Sequence, residues 1–192
     1  GEKIGNYTDE KTGILVVSLY GPKRRPAAED LRNVDIMIFD IQDVGVRFYT
    51  FISSLQEYME TAFELGKPLL LLDRPNPNGH YVDGPVLEKK YKSFIGMQEV
   101  PVVYGMTIAE YAFMIAGEKW LSPKANERFA WYQKATNSAD TPFHFQVIKC
   151  KNYTHNTPYN LPIKPSPNLP DMASIYWYPS TCFFEGTVLS EG

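Results

Sequence analysis

Two near-continuous apolar runs flank one amphipathic stretch in this chain, and that order constrains the fold more than any other feature. "DIMIFDIQD" (35–43) and "KPLLLLDRPNP" (67–77) read as strands covered on both faces, because such runs leave no polar side for water. Between them, over residues 50–65, Phe51, Leu55, Tyr58, Met59, Ala62 and Phe63 recur at helical spacing, while Glu57, Glu60 and Glu64 fall off that stripe. Gly66 then supplies a left-handed stop. A strand–helix–strand unit of this length closes as a right-handed crossover, so the expected sheet is parallel and the fold class α/β.

Other segments extend the pattern. "ILVVSLYG" (14–21) is rich in apolar and β-branched residues and ends in Gly-Pro, which predicts a further buried strand. "AAEDLRN" (27–33) is a short helical candidate. A second clear helix is expected over 107–116, opened by a capping box of Thr107 with Glu110 and closed by Gly117. "FHFQVIKCK" (143–151) reads as a strand and 152–170 as a Pro- and Asn-rich loop, with a short helix after Asp171 and a strand near 182–184. The chain opens on Gly1 and stops in "FEGTVLSEG", so it is expected to be a piece of a longer protein.

Composition excludes several classes of function. With 44% hydrophobic residues, a chain of 192 residues can bury a real core. A net charge of -3 gives no basic footprint for a nucleic-acid partner, and the one basic cluster, Lys23-Arg24-Arg25, runs into Pro26 as a solvated loop. No apolar run approaches the roughly 20 residues that cross a bilayer, so no membrane span is expected. Cys150 and Cys182 lack the CxxC spacing and the histidine pair of a metal site, and both are expected as packed thiols. His80, His144 and His155 show no ligand or triad spacing, and there is neither a Gly-x-Gly-x-x-Gly turn nor a phosphate loop. No metal and no cofactor are expected.

Ligands of open parallel sheets gather beyond the carboxyl ends of the strands. There "FDIQD" places Asp40 and Asp43, and "LLDRPNPNG" places Asp73, Arg74 and Asn76, so two adjacent strand ends should point polar groups into one cleft. Asp40, beside apolar Phe39 and Ile41, is the carboxyl expected to have a desolvation-raised pKa and so to serve as a general acid, with Asp43 as its catalytic companion. Arg47 and Arg74 offer planar forks for a ligand carboxylate, or for pairing with those same aspartates. Tyr49, Tyr104 and Trp177 are candidate stacking platforms. Each residue also has a structural reading as cap, salt bridge or core.

Taken together, "FDIQDVGVRFYTF", "LLDRPNPNG", "VDGPVL", "VPVVYGMTIAEYA", "SPNLP" and "FFEGTVLSEG" resemble the bacterial exo-β-N-acetylmuramidases of the NamZ or YbbC type, from about Ser18 onward. The resemblance implies a Rossmann-like parallel sheet flanked by helices, with part of a smaller auxiliary α+β domain, and a cleft between the two. Residues 1–105 would form the Rossmann-like domain, and 106–192 its remainder leading into the auxiliary one. The implied activity is release of terminal N-acetylmuramic acid from the non-reducing end of peptidoglycan fragments, with a muropeptide as partner, in an exported protein. By matching motif positions, Arg47, Tyr49, Asp73, Arg74, Asn76, Asn168 and Glu185 would bind substrate around Asp40 and Asp43. Three departures stand out: the family's upstream Glu-His-Gly stretch is absent, Tyr104 stands where many relatives carry His, and Val188 where they carry Asn. Two other readings remain open: a muropeptide-binding module without turnover, and a metal-dependent phosphatase-like enzyme with an ion among Asp40, Asp43 and Asp73. A cleft with one wall absent would expose apolar surface, so this stretch alone is expected to self-associate.

Overall fold

The computed structural model describes residues 5–135, 144–185 and 187–188. In chain order its elements are strands β1 (Tyr7–Thr8), β2 (Leu15–Val16) and β3 (Met37–Phe39), helix α1 (Phe51–Leu65), β4 (Leu69–Leu72), α2 (Ile108–Gly117), α3 (Pro123–Ala135), β5 (Phe145–Ile148) and α4 (Met172–Thr181). β4 lies between β3 and β5, both parallel to it, with Phe39 opposite Leu71 and Leu71 opposite Val147.

The expected strand–helix–strand unit is β3–α1–β4. Ile52, Leu55, Met59, Ala62 and Phe63 form the buried stripe of α1. Gly66 ends the helix at φ 67°, where its N–H reaches the carbonyls of Ala62 and Phe63. Met37, Phe39, Leu69 and Leu71 point from the sheet into the same core, which also draws on Tyr104, Ile108, Tyr111 and Ile115 and so spans both sides of residue 105. Among the described residues, however, covering of the second face is incomplete. Ile38 and Ile148, which alternate with the core residues, are 53% and 47% exposed. An apolar run reports that a strand favours burial, but not whether a second layer exists to provide it.

Residues 14–21 depart further from expectation. Only Leu15–Val16 is a strand, and it pairs antiparallel with β1 in a hairpin, leaving Ile14, Leu15 and Tyr20 at 63%, 64% and 70% exposure. The cause is local: the Asp9 carboxylate accepts from the Thr12 N–H at 2.9 Å, and Gly13 adopts φ 71°. That turn brings a partner strand from a few residues away, where closing the loop costs least entropy. Residues 27–33 form successive turns, such as Asp30 N–H to Ala27 O at 3.1 Å, instead of a helix. Residues 182–184 form a 3-10 turn after α4, not a strand.

α2 begins as expected, with both capping-box bonds of Thr107 and Glu110 formed. Gly117 is its last residue, yet the left-handed turn falls at Lys119, φ 58°. α3 was not foreseen, because only Ala125, Phe129 and Tyr132 of its residues are buried. Its signal was Ser122-Pro123: the serine hydroxyl accepts from Ala125 N–H at 3.3 Å, and proline suits the first helical position. Phe143 of the expected strand at 143–151, and Gly186 and residues 189–192 of the last motif, lie outside the described residues.

A second apolar cluster of Val44, Val46, Val102, Val103, Leu169 and Ile175 lies under the loop after β3 and against α4. Leu71→Ala is expected to cost about 2–5 kcal/mol, since the side chain is fully buried in the central strand. Ile38→Ala on the opposite face should cost less than about 1 kcal/mol. Urea unfolding of the two variants checks which face of the sheet carries the stability.

Candidate functional site

The loops beyond β3, β4 and β5 form a polar bracket. Gly45 takes φ 79°, and a Cβ there would run into the Asn76 amide. Asn76 donates to Met106 O at 2.8 Å and accepts from Asn78 N–H at 2.8 Å, while Asn78 donates to Val44 O at 2.8 Å and Ile175 O at 3.4 Å. The Tyr153 hydroxyl closes the bracket on the backbone N–H and carbonyl of Asn76, each at 3.0 Å. Asp73 accepts from Ala109 N–H at 3.1 Å and so holds the first turn of α2; burial raises its pKa.

Asp43 lies beneath this bracket, 5% exposed. Its Oδ2 accepts from the Tyr104 hydroxyl and from Gly45 N–H at 2.8 Å, while Oδ1 is buried without a hydrogen-bond partner. Desolvation outweighs those two bonds and pushes its pKa up to about 6. The desolvated acid expected at Asp40 is therefore found at Asp43, since Asp40 is exposed and paired with Arg74, Nε to Oδ1 2.6 Å. Tyr104 is no stacking platform: it is 3% exposed and its pKa is raised by burial and by Asp43. The buried guanidinium of Arg47 is spent on the carbonyls of Pro85 and Val100, not on a carboxylate.

Three hollows open around the bracket. A charged one of about 350 Å³ is lined by Asp40, Gln42, Arg74 and Lys164. An aromatic one of about 800 Å³ is lined by Tyr49, Thr50, Asn168, Trp177 and Glu185, among others. The two adjoin: Pro165 lines the first and Ser166 the second, and the Tyr49 hydroxyl donates to Pro165 O at 2.8 Å. Burial, then the Asp43 charge, pushes Tyr49 up to about 12, so it stays a neutral donor. Thr50, a β-branched residue at φ 70°, stores backbone strain at this wall. The third hollow, of about 690 Å³, lies between the loops after β4 and β5.

The structure thus brings Asp40 together with Arg74, and Tyr49 with Asn168 and Glu185. Asp43, Arg47, Asp73 and Asn76 line none of these hollows and hold the loops that shape them. Sequence reasoning missed Lys164, whose only signal is its place between prolines in "PIKPSP", and the third hollow, whose histidines carry no recognisable spacing. Among the described residues no three His, Cys, Asp or Glu side chains converge as metal ligands, so Asp40, Asp43 and Asp73 do not form the ion site of the phosphatase-like reading. Among them, too, no helix is long and apolar enough to cross a membrane.

An α/β domain with polar hollows at the carboxyl end of a parallel sheet is the class of protein that fold and site define. The family model described as exo-beta-N-acetylmuramidase NamZ, N-terminal, matches residues 1–173, and the chain belongs to that family. It is 42% identical over its whole length to the peptidoglycan beta-N-acetylmuramidase NamZ of Bacillus subtilis, of which it covers 43%. Crystal structures of two DUF1343-family proteins from Bacteroides fragilis are similar to it. One has TM-score 0.78 and 48% identity, with 93% of this chain and 45% of that one covered. The other has TM-score 0.77 and 34% identity, with coverage of 92% and 43%. The chain spans less than half the length of these relatives.

Burial of Asp43 sets a pH dependence. Its folded pKa of about 6 lies above the unfolded value of 3.8, so between them the folded state binds more protons. Stability from this group is present below about pH 4 and is lost as pH rises through about 6. In Asp43→Asn the fall in melting temperature across that window should be smaller than in the parent; identical profiles would show that Asp43 does not titrate in this way.

Proposed function

We propose that this chain is the N-terminal portion of a glycoside hydrolase that releases N-acetylmuramic acid from the non-reducing end of peptidoglycan fragments. The observation that carries the reading is the 42% identity, across all of this chain, to the NamZ muramidase of B. subtilis. The chemistry of the hollows supports it. N-acetylmuramic acid bears a lactyl carboxylate, and Arg74 with Lys164 places two cations around one small hollow. Hydroxyls and an acetamido group suit Tyr49 and Asn168 in the adjoining aromatic hollow, with the Trp177 ring as a face for the pyranose.

Glycoside hydrolysis needs an acid at the leaving oxygen, and a second carboxylate or the substrate's own acetamido group to stabilise the oxocarbenium-like centre. Asp40 and Glu185 are the nominated carboxylates that line hollows, and the proposal gives them contact with substrate. Asp43 acts from beneath as a positioning residue: through Gly45 N–H it holds the turn that leads to Tyr49. Arg47, Asp73 and Asn76 act likewise through the loops they tie. Work on cell-wall fragments fits an exported protein, and that compartment belongs to the proposal. A second reading, muropeptide binding without turnover, is favoured by the burial of Asp43, which leaves Asp40 as the one aspartate of the expected catalytic pair that lines a hollow.

In a full-length protein containing this chain, Asp40→Asn is expected to lower turnover of a chromogenic N-acetylmuramide by about 100-fold or more. Arg74→Ala should raise KM about tenfold with a smaller effect on kcat. Turnover by Asp40→Asn at the parental rate removes Asp40 from the chemistry. Calorimetric binding of N-acetylmuramic acid without any turnover by the parent selects the second reading.

A further inference from the structure

The third hollow takes no part in the reading above. It lies where the loops after β4 and β5 meet, beyond the carboxyl ends of two paired parallel strands, the position that favours ligands in such sheets. Its walls are pinned: the Tyr153 hydroxyl ties one loop to the other through the backbone of Asn76, and Asn78 ties the first to Ile175 O on α4. His155 is held by the Glu110 carboxylate, Nε2 to Oε2 2.8 Å, and Glu110 is itself fixed by the capping box of α2. A hollow bounded by elements fixed in this way is largely pre-formed.

Its chemistry is specific in type. Tyr81 and Tyr176 offer aromatic faces, with Tyr176 44% exposed. His80 and Asn156 offer side chains that both donate and accept hydrogen bonds, and His155, whose Nε2–H donates to the Glu110 carboxylate, adds its remaining ring nitrogen. Among the described residues neither lysine nor arginine lines it, unlike the charged hollow. Aromatic faces bordered by imidazole and amide groups of both hydrogen-bonding senses match a pyranose, whose C–H faces are apolar and whose hydroxyls donate and accept. About 690 Å³ exceeds what a single sugar ring fills and suits two. Tyr176 also makes α4 a shared wall, because Ser174, Trp177, Tyr178 and Thr181 of the same helix line the aromatic hollow.

We propose that this hollow is a second saccharide-binding site, selective for an uncharged pyranose or a short chain of them and separate from the charged and aromatic hollows. It stands on its own lining and does not depend on the hydrolase reading.

The chain holds three histidines, two of which line the hollow, so imidazole signals report on it directly. A full-length protein containing this chain is labelled with 13C in its histidine rings, the signals of His80, His144 and His155 are assigned with His80→Gln, His144→Gln and His155→Gln, and the protein is titrated at constant pH with N-acetylglucosamine and its β-1,4-linked dimer. The His80 and His155 signals should move in saturable fashion by about 20 mM, the dimer acting at lower concentration. His144, stacked on Tyr132 with ring centroids 4.4 Å apart, should stay in place. Tyr176→Ala should weaken the response about fivefold through loss of the stacking face, and Asn156→Ala at an exposed loop position should weaken it as well, with the folded amide spectrum retained in each. Still signals, or movement unaltered in both variants, would overturn the site. Movement of the same signals by inorganic phosphate at lower concentration than by the dimer would overturn its assignment to an uncharged sugar.

Discussion

Gly45 lies against Asn76 only because it has no side chain, and that approach organises everything around the site. It lets the loop after β3 fold back over the loop after β4, so that one Asn76 amide can reach both Met106 O and Asn78 N–H. Asn78 then carries the connection to Val44 and to α4. Every link is a buried amide with its partners in place, the condition under which polar groups in a core specify a single arrangement.

Asp43 shows what such a core demands. Two hydrogen bonds to one of its oxygens do not offset the desolvation of the whole carboxyl, which moves toward the neutral form. Arg47, a few residues on, meets the same demand differently, by donating to the carbonyls of Pro85 and Val100. Both charged groups are thus taken up in supporting the hollows, while other nominated groups line the rims. This division gives the muramidase proposal its form: Asp40, Arg74 and Lys164 at one rim, Tyr49, Asn168 and Glu185 at the next.

Where a signal is carried by neighbours a few residues apart, the sequence was legible. The stripe of α1, the stop at Gly66 and the Thr107–Glu110 capping box all belong to this kind, and each is found in place. The hairpin of β1 and β2 was not legible, because strand propensity at 14–21 says nothing of which partner pairs with it, and the turn at Asp9 supplies a nearer one. α3 went unseen because its buried positions are few. The Asp40–Arg74 pair is the part of the candidate site nearest to what residue types at adjacent strand ends predict. Which of Asp40 and Asp43 would be desolvated was not readable, since that depends on Tyr104 and the loop around it folding over one and leaving the other in water.

From its sequence alone the chain's class, its family and the principal parallel unit follow, because apolar periodicity and long motifs are properties of contiguous residues. The tertiary structure alone decided that nine nominated residues divide between two hollows and a buried bracket, and that a third hollow exists. The contacts responsible join residues far apart, 34 positions for Asp40 with Arg74 and 116 for Tyr49 with Pro165. Pairings at that range are set by how the loops pack together, which no local pattern encodes.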